Sequence, residues 1–587
     1  MLRTHTCGEL REKDIGKDVT LCGWVDARRD HGELIFIDLR DKYGVTQIVF
    51  NPLKERRLHT EAHKLKSEYV IEVKGGVESR PKETENPRLS TGMVEVAVTN
   101  LKVLSASETP PFEVLDDTKA TEETRLQYRF LDLRRPAMQK KIELRHKICK
   151  KMRDFLDKRG YLEIETPILT KSTPEGARDF LVPSRLNPGS FFALPQSPQL
   201  FKQILMVSGC DKYFQIAKCF RDEDLRADRQ PEFTQLDIEA SFVEEEDIYN
   251  LCEGLIRELY KDVLNIDLKT PFVRLAYREA MERFGSDKPD LRFGCEIKDL
   301  TEALKNTEFK IFKATIEKKG RIKAINAPSA SKFSLKDIDE LTKFVGQSGA
   351  KGLAWFKVEE GGLSSAISKF FKKEEADAMI RLLGSKPGDM IFIIADTEKT
   401  ALESMGSLRL RLGCELGLID EKSVSILWVC DFPLFKYNDE EKRWESEHHP
   451  FTSPKGHDLK GVPEDMASIK ARAYDMVING VEVASGSIRI HDRDVQERLF
   501  SLIGISKKEA QVRFGFLLRA FQYGVPPHGG VAFGLDRLVT LFTKDKSIRE
   551  VIPFPKTQKG ICPLTDAPSS VGDAQLKELG IKPWKSV

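Results

Sequence analysis

The chain of 587 residues carries 94 Lys and Arg against 92 Asp and Glu, a formal net charge of only +2, so any nucleic acid must be held by local basic patches and not by a global field. Its ten cysteines are scattered without a Cys-x-x-Cys pair, which argues against a zinc site or a disulfide framework and fits reduced thiols in a cytosol. Met1 to Cys7 has no apolar signal core and no run reaches the ~18 apolar residues of a membrane span; a cytoplasmic protein of several domains with no membrane partner is expected.

Residues 1–105 read as five short strands, Val19 to Asp26, Leu34 to Arg40, Val45 to Phe50, Tyr69 to Glu78 and Met93 to Leu104, the pattern of an OB-fold β-barrel, which commonly binds single-stranded nucleic acid. Arg28 and Arg29 precede a turn, Phe36 falls on the second strand and Gln47 on the third. A guanidinium, a stacking ring and an amide could meet on one surface, although composition alone makes Phe36 more naturally a core residue. Residues 106–136, with Pro110-Pro111 and mixed charges, read as a hinge. Lys140 to Lys158 then forms an amphipathic helix through Ile142, Ile148, Met152, Phe155 and Leu156, stopped by Gly160.

Tyr213 to Phe220 and Phe233 to Phe242 alternate with period two, so Gln215, Arg221, Gln235, Asp237 and Glu239 share one face while Phe214, Ile216, Phe220, Leu236, Ile238, Ala240 and Phe242 take the other. The loop between them, Arg221 to Pro231, is dense in guanidinium groups and suits a polyphosphate; the plainer reading is a solvated edge hairpin. Residues 288–422 turn lysine-rich and glycine-broken, as at Glu317-Lys318-Lys319-Gly320-Arg321, and interrupt the strands on either side, so they form an insertion with solvated charge runs and no catalytic constellation. His448 and His449, being adjacent, point apart and do not make a metal pair.

Tyr474 to Val483 carries Asn479-Gly480 between strand-like runs, the strongest short hairpin signal. A two-residue turn pairs Ile478 with Val481 and Val477 with Glu482, which puts Asp475 on the face of Glu482. Two converging carboxylates repel unless a hard cation such as Mg2+ joins them with substrate phosphates; otherwise both simply face water. A bulge at Ser485-Gly486-Ser487 would turn Arg489 to the same pocket. Last, Gly529 to Arg537 is a glycine-punctuated strand entering a helix with Arg537 in its first turn, where glycines permit close approach of a nucleotide and arginine offers a fork to phosphate. No Gly-x-x-x-x-Gly-Lys-[Ser/Thr] loop is present.

At these residues the chain resembles the bacterial-type aspartyl-tRNA synthetases, class II aminoacyl-tRNA synthetases, over nearly its whole length. Phe220-Arg221-Asp222-Glu223 resembles motif 2, Gly534-Leu535-Asp536-Arg537 motif 3 with Asp536 where other class II members often carry Glu, and Gly160 to Pro167 motif 1. Ser172 to Asp179, Gln196 to Lys202 and His448 to Thr452 are also similar to the family. The resemblance implies an α+β protein: an OB-fold anticodon-binding domain at 1–105, a hinge at 106–136, an antiparallel-sheet catalytic domain at 137–287 and 423–560, an inserted α/β domain at 288–422 entered at Ser286 to Arg292, and a C-terminal extension at 561–587. It implies a homodimer, built on the helix Lys140 to Lys158 and the strand ending at Pro167.

The implied chemistry has two steps. Aspartate attacks the α-phosphate of ATP to give aspartyl-adenylate and pyrophosphate, and the terminal ribose hydroxyl of tRNA(Asp) takes the aspartyl group. A carboxylate is already nucleophilic, so the first step needs a clamp on the phosphates and not a general base. The resemblance assigns catalytic roles to Arg221 at the α-phosphate and Arg537 toward the γ-phosphate, with Mg2+ on Asp475 and Glu482. It draws the ATP site from Arg221, Asp222, Glu223, Gln230, Glu482, Gly534, Leu535, Asp536 and Arg537. It assigns the aspartate side chain to Lys202 and Arg489, ordered by Asp237, the ammonium to Glu175, Ser197 and Gln199, and further aspartate contacts to Arg221 and His448. Asparagine would leave the two cations uncompensated.

Arg29, Phe36 and Gln47 match tRNA contacts of the family's barrel. A histidine at the position of His31 goes with members that also charge tRNA(Asn), whereas Glu83 stands where such members have a small residue, so both ranges of tRNA remain open; His31 is otherwise a turn residue before Gly32. Two other classes compete: an RNA-binding synthetase paralogue, which would have lost one of Arg221, Glu482, Arg489 or Arg537, and a tRNA-independent aspartate ligase, which would not need residues 1–105.

Overall fold

The computed structural model describes residues 1–173, 177–456 and 458–582. It divides into two compact units, one of residues 1–145 with 549–570, the other of residues 146–548 with the chain from 571 onward.

The first unit is built on strands β1 (Asp18–Asp30), β2 (Ile35–Asp41), β3 (Gly44–Phe50), β4 (Val70–Ser79) and β5 (Val94–Ser105), closed into a barrel in the order β1-β2-β3-β5-β4. Alternation explains the closure. Ile35, Ile37 and Leu39 of β2 are fully buried beside Leu21, Val25, Ile48 and Val96, each such side chain contributing about 1.5–3 kcal/mol on leaving water. The residues between them point outward. In the segment 106–136, expected as a hinge, two short helices form, Glu122–Gln127 and Arg129–Asp132. Arg129 is buried there and donates to the carbonyls of Arg549, Ile552 and Pro553.

The second unit begins in the helix Pro136–Asp157, whose Ile148, Met152, Phe155 and Leu156 are buried as their spacing predicts. It continues through β6 (Leu162–Glu163), the hairpin β7 (Leu181–Pro183) and β8 (Phe191–Ala193), β9 (Lys212–Phe220), β10 (Glu232–Ser241) and β11 (Val273–Ala276). The insertion supplies β12 (Lys298–Asp299), β13 (Arg321–Ala327), β14 (Ala354–Glu359), β15 (Gly362–Ser364) and β16 (Met390–Asp396). Then come β17 (Ile426–Cys430), the hairpin β18 (Phe435–Asn438) and β19 (Arg443–Ser446), β20 (Ala473–Ile478), β21 (Val481–Ile488) and β22 (His528–Gly534).

The central sheet has eight strands in the order β11-β17-β20-β21-β22-β10-β9-β6. Its six inner strands pair antiparallel, as expected, but both edges are parallel, β11 to β17 and β6 to β9, so the sheet is mixed. The inserted sheet, β12-β13-β16-β14-β15, is antiparallel at every pairing, which corrects the α/β expectation to an α+β one. Helices cover both of its faces: Leu341, Val345, Met405 and Leu408 pack with Phe392 and Ile394 on one, Phe312 and Met379 with Ile391 and Ile393 on the other.

Candidate active site

Strands β9, β10, β21 and β22 and the helix Gln199–Val207 surround a cavity of about 430 Å³. The register of β9 and β10 pairs Gln215 with Asp237 and Ala217 with Gln235. The polar face named from the period-two pattern therefore lines the cavity through Gln235 and Asp237, and Leu236, Ile238 and Ala240 are buried behind it. Of the predicted residues, Ser197, Gln199, Lys202, Arg221, Glu223, Gln230, Asp237, His448, Glu482, Arg489, Gly534, Asp536 and Arg537 line this one cavity. Three others lie elsewhere. Asp222 is turned to Arg178, 3.7 Å away, Leu535 is fully buried in the core, and Asp475, outside the lining itself, is 3.6 Å from His448 and close enough to Glu482 for its charge to act there. Glu175 lies outside the described residues.

One end of the cavity is a closed network of charge. Lys202 Nζ lies 2.7 Å from Asp237 Oδ1 and 3.1 Å from Glu239 Oε2, with all three side chains at most 2% exposed. Arg489 grips Glu239 in a fork, Nε to Oε1 at 2.9 Å and Nη2 to Oε2 at 3.0 Å. Its Nη1 donates to Ser487 Oγ at 2.6 Å and meets His449 Nε2 at 2.7 Å. Burial opposes ionisation of Glu239, but Arg489 and Lys202 outweigh it and draw its pKa down to about 2. Burial raises that of Asp237 against the pull of Lys202. Burial and the neighbouring Arg489 hold His449 well below its usual value, so it is neutral and accepts the Arg489 N–H.

Glu239 and His449 were not among the assigned site residues. For Glu239 the signal was present, two positions beyond Asp237 on the same strand face. Gly530 makes room for it: a Cβ there would sit 1.9 Å from Glu239 Oε2, so this glycine serves a carboxylate of the protein itself and not the approach of a nucleotide. Arg489 reaches the cavity without the expected bulge at 485–487. Gly486 pairs regularly with Tyr474 and Val531, and the irregularity lies opposite Met476 and Val477, where Val483 is left over.

The other end is more exposed and sets three arginines, Arg221, Arg229 and Arg537, among the acids Glu223, Asp228, Glu482 and Asp536. Arg221 lies over the ring of Phe233, 5.0 Å from its centroid, a cation–π contact that helps to hold the guanidinium at the cavity. Arg537 bridges Asp228 at 3.2 Å and the Glu482 carbonyl at 3.2 Å, with Glu482 Oε1 at 3.6 Å. Asp536 accepts the Thr234 N–H at 2.8 Å, tying the helix Leu535–Thr543 to β10. Val477 pairs with Glu482 as predicted. Burial and the charge of Asp475 raise the pKa of Glu482. Burial works against charge on His448, yet the nearby Asp475, 3.6 Å away, lifts its pKa above the ordinary value. Among the described residues no group of three or more His, Cys, Asp or Glu could hold a metal. The pair Asp475 and Glu482, with Asp475 Oδ1 buried and lacking a hydrogen bond, nevertheless fits an ion that takes its remaining ligands from phosphate and water.

On the barrel, Phe36 is half-buried and outside the core, edge-on to His31 with ring centroids 5.7 Å apart; the core reading drawn from composition fails because Ile35 and Ile37 own the inward phase. Arg29 forks onto Asp38 at 2.6 and 2.8 Å and reaches Gln47 Oε1 at 3.2 Å, while Gln47 Nε2 donates to Glu95 at 2.7 Å. Asp38 and Glu95, both unassigned from sequence, thus fix the amide. Glu83 is exposed on a 3-10 turn, Lys82–Thr84.

Residues 121–558 match the family of class II tRNA synthetases (D, K and N), and residues 19–104 match the OB-fold nucleic acid binding domain. A protein of Aquifex aeolicus (strain VF5), named Aspartate--tRNA(Asp/Asn) ligase, is 55% identical over 99% of this chain and 98% of its own. One of Desulfatibacillum aliphaticivorans with the same name is 54% identical over 99% and 98%. The crystal structure of asparaginyl-tRNA synthetase from Pyrococcus horikoshii complexed with asparaginyl-adenylate shares the fold at 21% identity and a TM-score of 0.59, over 95% of this chain and 99% of that one. The chain belongs to the class II tRNA synthetases (D, K and N).

Proposed function

We infer that this class II tRNA synthetase ligates L-aspartate to tRNA in two steps, through aspartyl-adenylate. The observation that carries the reading is a single cavity with two buried cations, Lys202 and Arg489, at its closed end and two arginines, Arg221 and Arg537, at its open end. A dicarboxylate and a triphosphate match those two ends. The names of relatives more than half identical support the same amino acid.

Lys202 and Arg489 are already satisfied by Asp237 and Glu239, so they are held rigidly and offer their remaining N–H donors to the side-chain carboxylate of aspartate. Ser197 and Gln199 line the cavity, and the ammonium would donate to the Ser197 hydroxyl and the Gln199 amide oxygen. Arg221 orients the α-phosphate toward the aspartate α-carboxylate, whose oxygen attacks as pyrophosphate departs. Arg537 holds the far end of the triphosphate. When bound, Mg2+ on Asp475 and Glu482 would neutralise phosphate charge as the bond to pyrophosphate breaks.

The outward Arg29 and Phe36, with the buried Gln47 amide holding Arg29 from behind, support binding of unpaired anticodon bases by stacking and guanidinium hydrogen bonds. His31 packing on Phe36 and the Asp/Asn names of the relatives support charging of tRNA(Asn) as well as tRNA(Asp). Exposed Leu162, Ile168, Leu169, Leu181, Phe191 and Phe192 around β6 to β8 support a homodimer through this edge. No helix of the described residues is long and apolar enough to cross a membrane, and the translation reaction supports a cytoplasmic place.

The test is aminoacylation of purified tRNA(Asp) and tRNA(Asn) transcripts with labelled aspartate. Product on tRNA(Asp) is expected, and its absence overturns the reading; absence on tRNA(Asn) alone restricts the enzyme to tRNA(Asp).

A further inference from the structure

The inserted sheet carries a cavity of about 730 Å³, larger than the active-site cavity and within one compact unit. Its floor is made by Ala354 of β14 and Ile393 and Ala395 of β16; Phe309 and Ile367 stand over it as walls. Small side chains on neighbouring strands leave a slot there that the two phenylalanines beside Phe309, Phe312 and Phe371, do not fill. Volume and apolar lining fall in the range of sites for drug-sized ligands.

Most of the charged groups are near the end of β16, where Glu398 is taken up by Arg321 at 3.7 Å. Lys318, Lys319 and Lys351 line the cavity beside the end of β16. Among the described residues Lys318 and Lys319 have no carboxylate within ion-pair distance, and Lys351 reaches only Asp396, at 3.6 Å. Asp396 lines the same end and is 7% exposed. Its Oδ1 accepts the Thr397 N–H at 2.8 Å, while its Oδ2 is buried with no hydrogen-bond partner. A purely apolar occupant would leave that oxygen unsatisfied, and a simple anion would meet it as a like charge. A ligand that suits all of these features has a flat apolar body, an N–H donor for Asp396 and an anionic group for the lysines.

We propose that the insertion holds a second small-molecule site, for a nucleoside monophosphate whose base bears an exocyclic amino group. The base occupies the slot over Ala354 and Ala395, its amino group donates to Asp396, and the phosphate lies among Lys318, Lys319 and Lys351, which act as point charges. The site is separate from the residues that grip the triphosphate, and binding here forms and breaks no covalent bond.

Photolabelling of the full-length protein with 8-azido-AMP, followed by peptide mapping, separates the two sites. Label is expected in peptides from 309–320 and 351–367 as well as near Arg221 and Arg537. AMP should protect the insertion peptides about tenfold better than IMP, which lacks the amino group, or adenosine, which lacks the phosphate, a tenfold difference being about 1.4 kcal/mol. Lys351→Ala, at a side chain 85% exposed and so harmless to folding, should weaken protection by AMP, and Asp396→Leu should erase the preference over IMP in protein that still melts cooperatively. Unlabelled insertion peptides overturn the proposal. So do equal protection by AMP, IMP and adenosine, and protection by a single-stranded RNA at lower concentration than AMP.

Discussion

The closed end of the cavity and the outer face of the barrel both use an arginine held by a carboxylate, but in opposite surroundings. Arg489 and Glu239 are at most 2% exposed, whereas the side chain of Arg29 is 43% exposed beside Asp38. In the interior the pairing is strong and the penalty for leaving a charge alone is large, so the protein must balance its cations before any substrate arrives. At the surface, water screens the same geometry and its energy is small. The interior arrangement therefore suits discrimination between ligands that differ by one charge. The surface arrangement suits orientation of a side chain for contacts whose strength comes from stacking.

Glu239→Gln breaks this contrast most severely. It strips Arg489 of its forked partner and should cost about 3–5 kcal/mol of stability in urea unfolding, together with aspartate binding. Its pH dependence gives an independent check. The folded pKa of Glu239, about 2, lies below the ordinary 4.5, so the folded chain binds fewer protons at this group. Its contribution is full above about pH 4.5 and fades as pH falls toward 2; the variant should lose this part of the acid-induced decline.

Next in size, Arg537→Leu should lower ATP–pyrophosphate exchange by roughly 10²–10³-fold, the scale for removing one preorganised donor to developing charge. Stability should barely change, since the partners it leaves are partly solvated. Phe36→Ala moves to the surface. It should raise the KM for tRNA by an amount worth about 1–3 kcal/mol, one stacked base, with exchange unaltered; a fall in exchange instead would mean that the barrel face serves folding. The smallest effect is expected from His31→Leu, a severalfold change in the ratio of tRNA(Asn) to tRNA(Asp) charging with both KM values for aspartate and ATP unchanged.

Much of both regions was legible in the sequence because period-two strands fix faces. Asp237, Arg221 and the turn at Asn479-Gly480 fell where alternation and hairpin geometry put them. What escaped depended on contacts across the sheet. Glu239 gains its role only when β22 brings Gly530 against it and Arg489 arrives from the end of β21. The leftover Val483 could not be placed because a bulge shifts register without altering composition. Phe36 was ambiguous alone and is settled by the inward phase of Ile35 and Ile37. The α/β expectation for the insertion rested on the resemblance alone, because the charge runs of 288–422 carry no mark of strand direction, and the strands pair antiparallel.

The central claim is that two cations, balanced beforehand by buried acids, select a dicarboxylate amino acid. ATP–pyrophosphate exchange measured with L-aspartate and with L-asparagine tests it most directly. Exchange with aspartate should exceed that with asparagine by more than ~10³ in kcat/KM, as expected where the remaining N–H donors of Lys202 and Arg489 meet an accepting carboxylate in one case and an amide NH2, itself a donor, in the other. Equal exchange with the two amino acids, or none with aspartate, would contradict it.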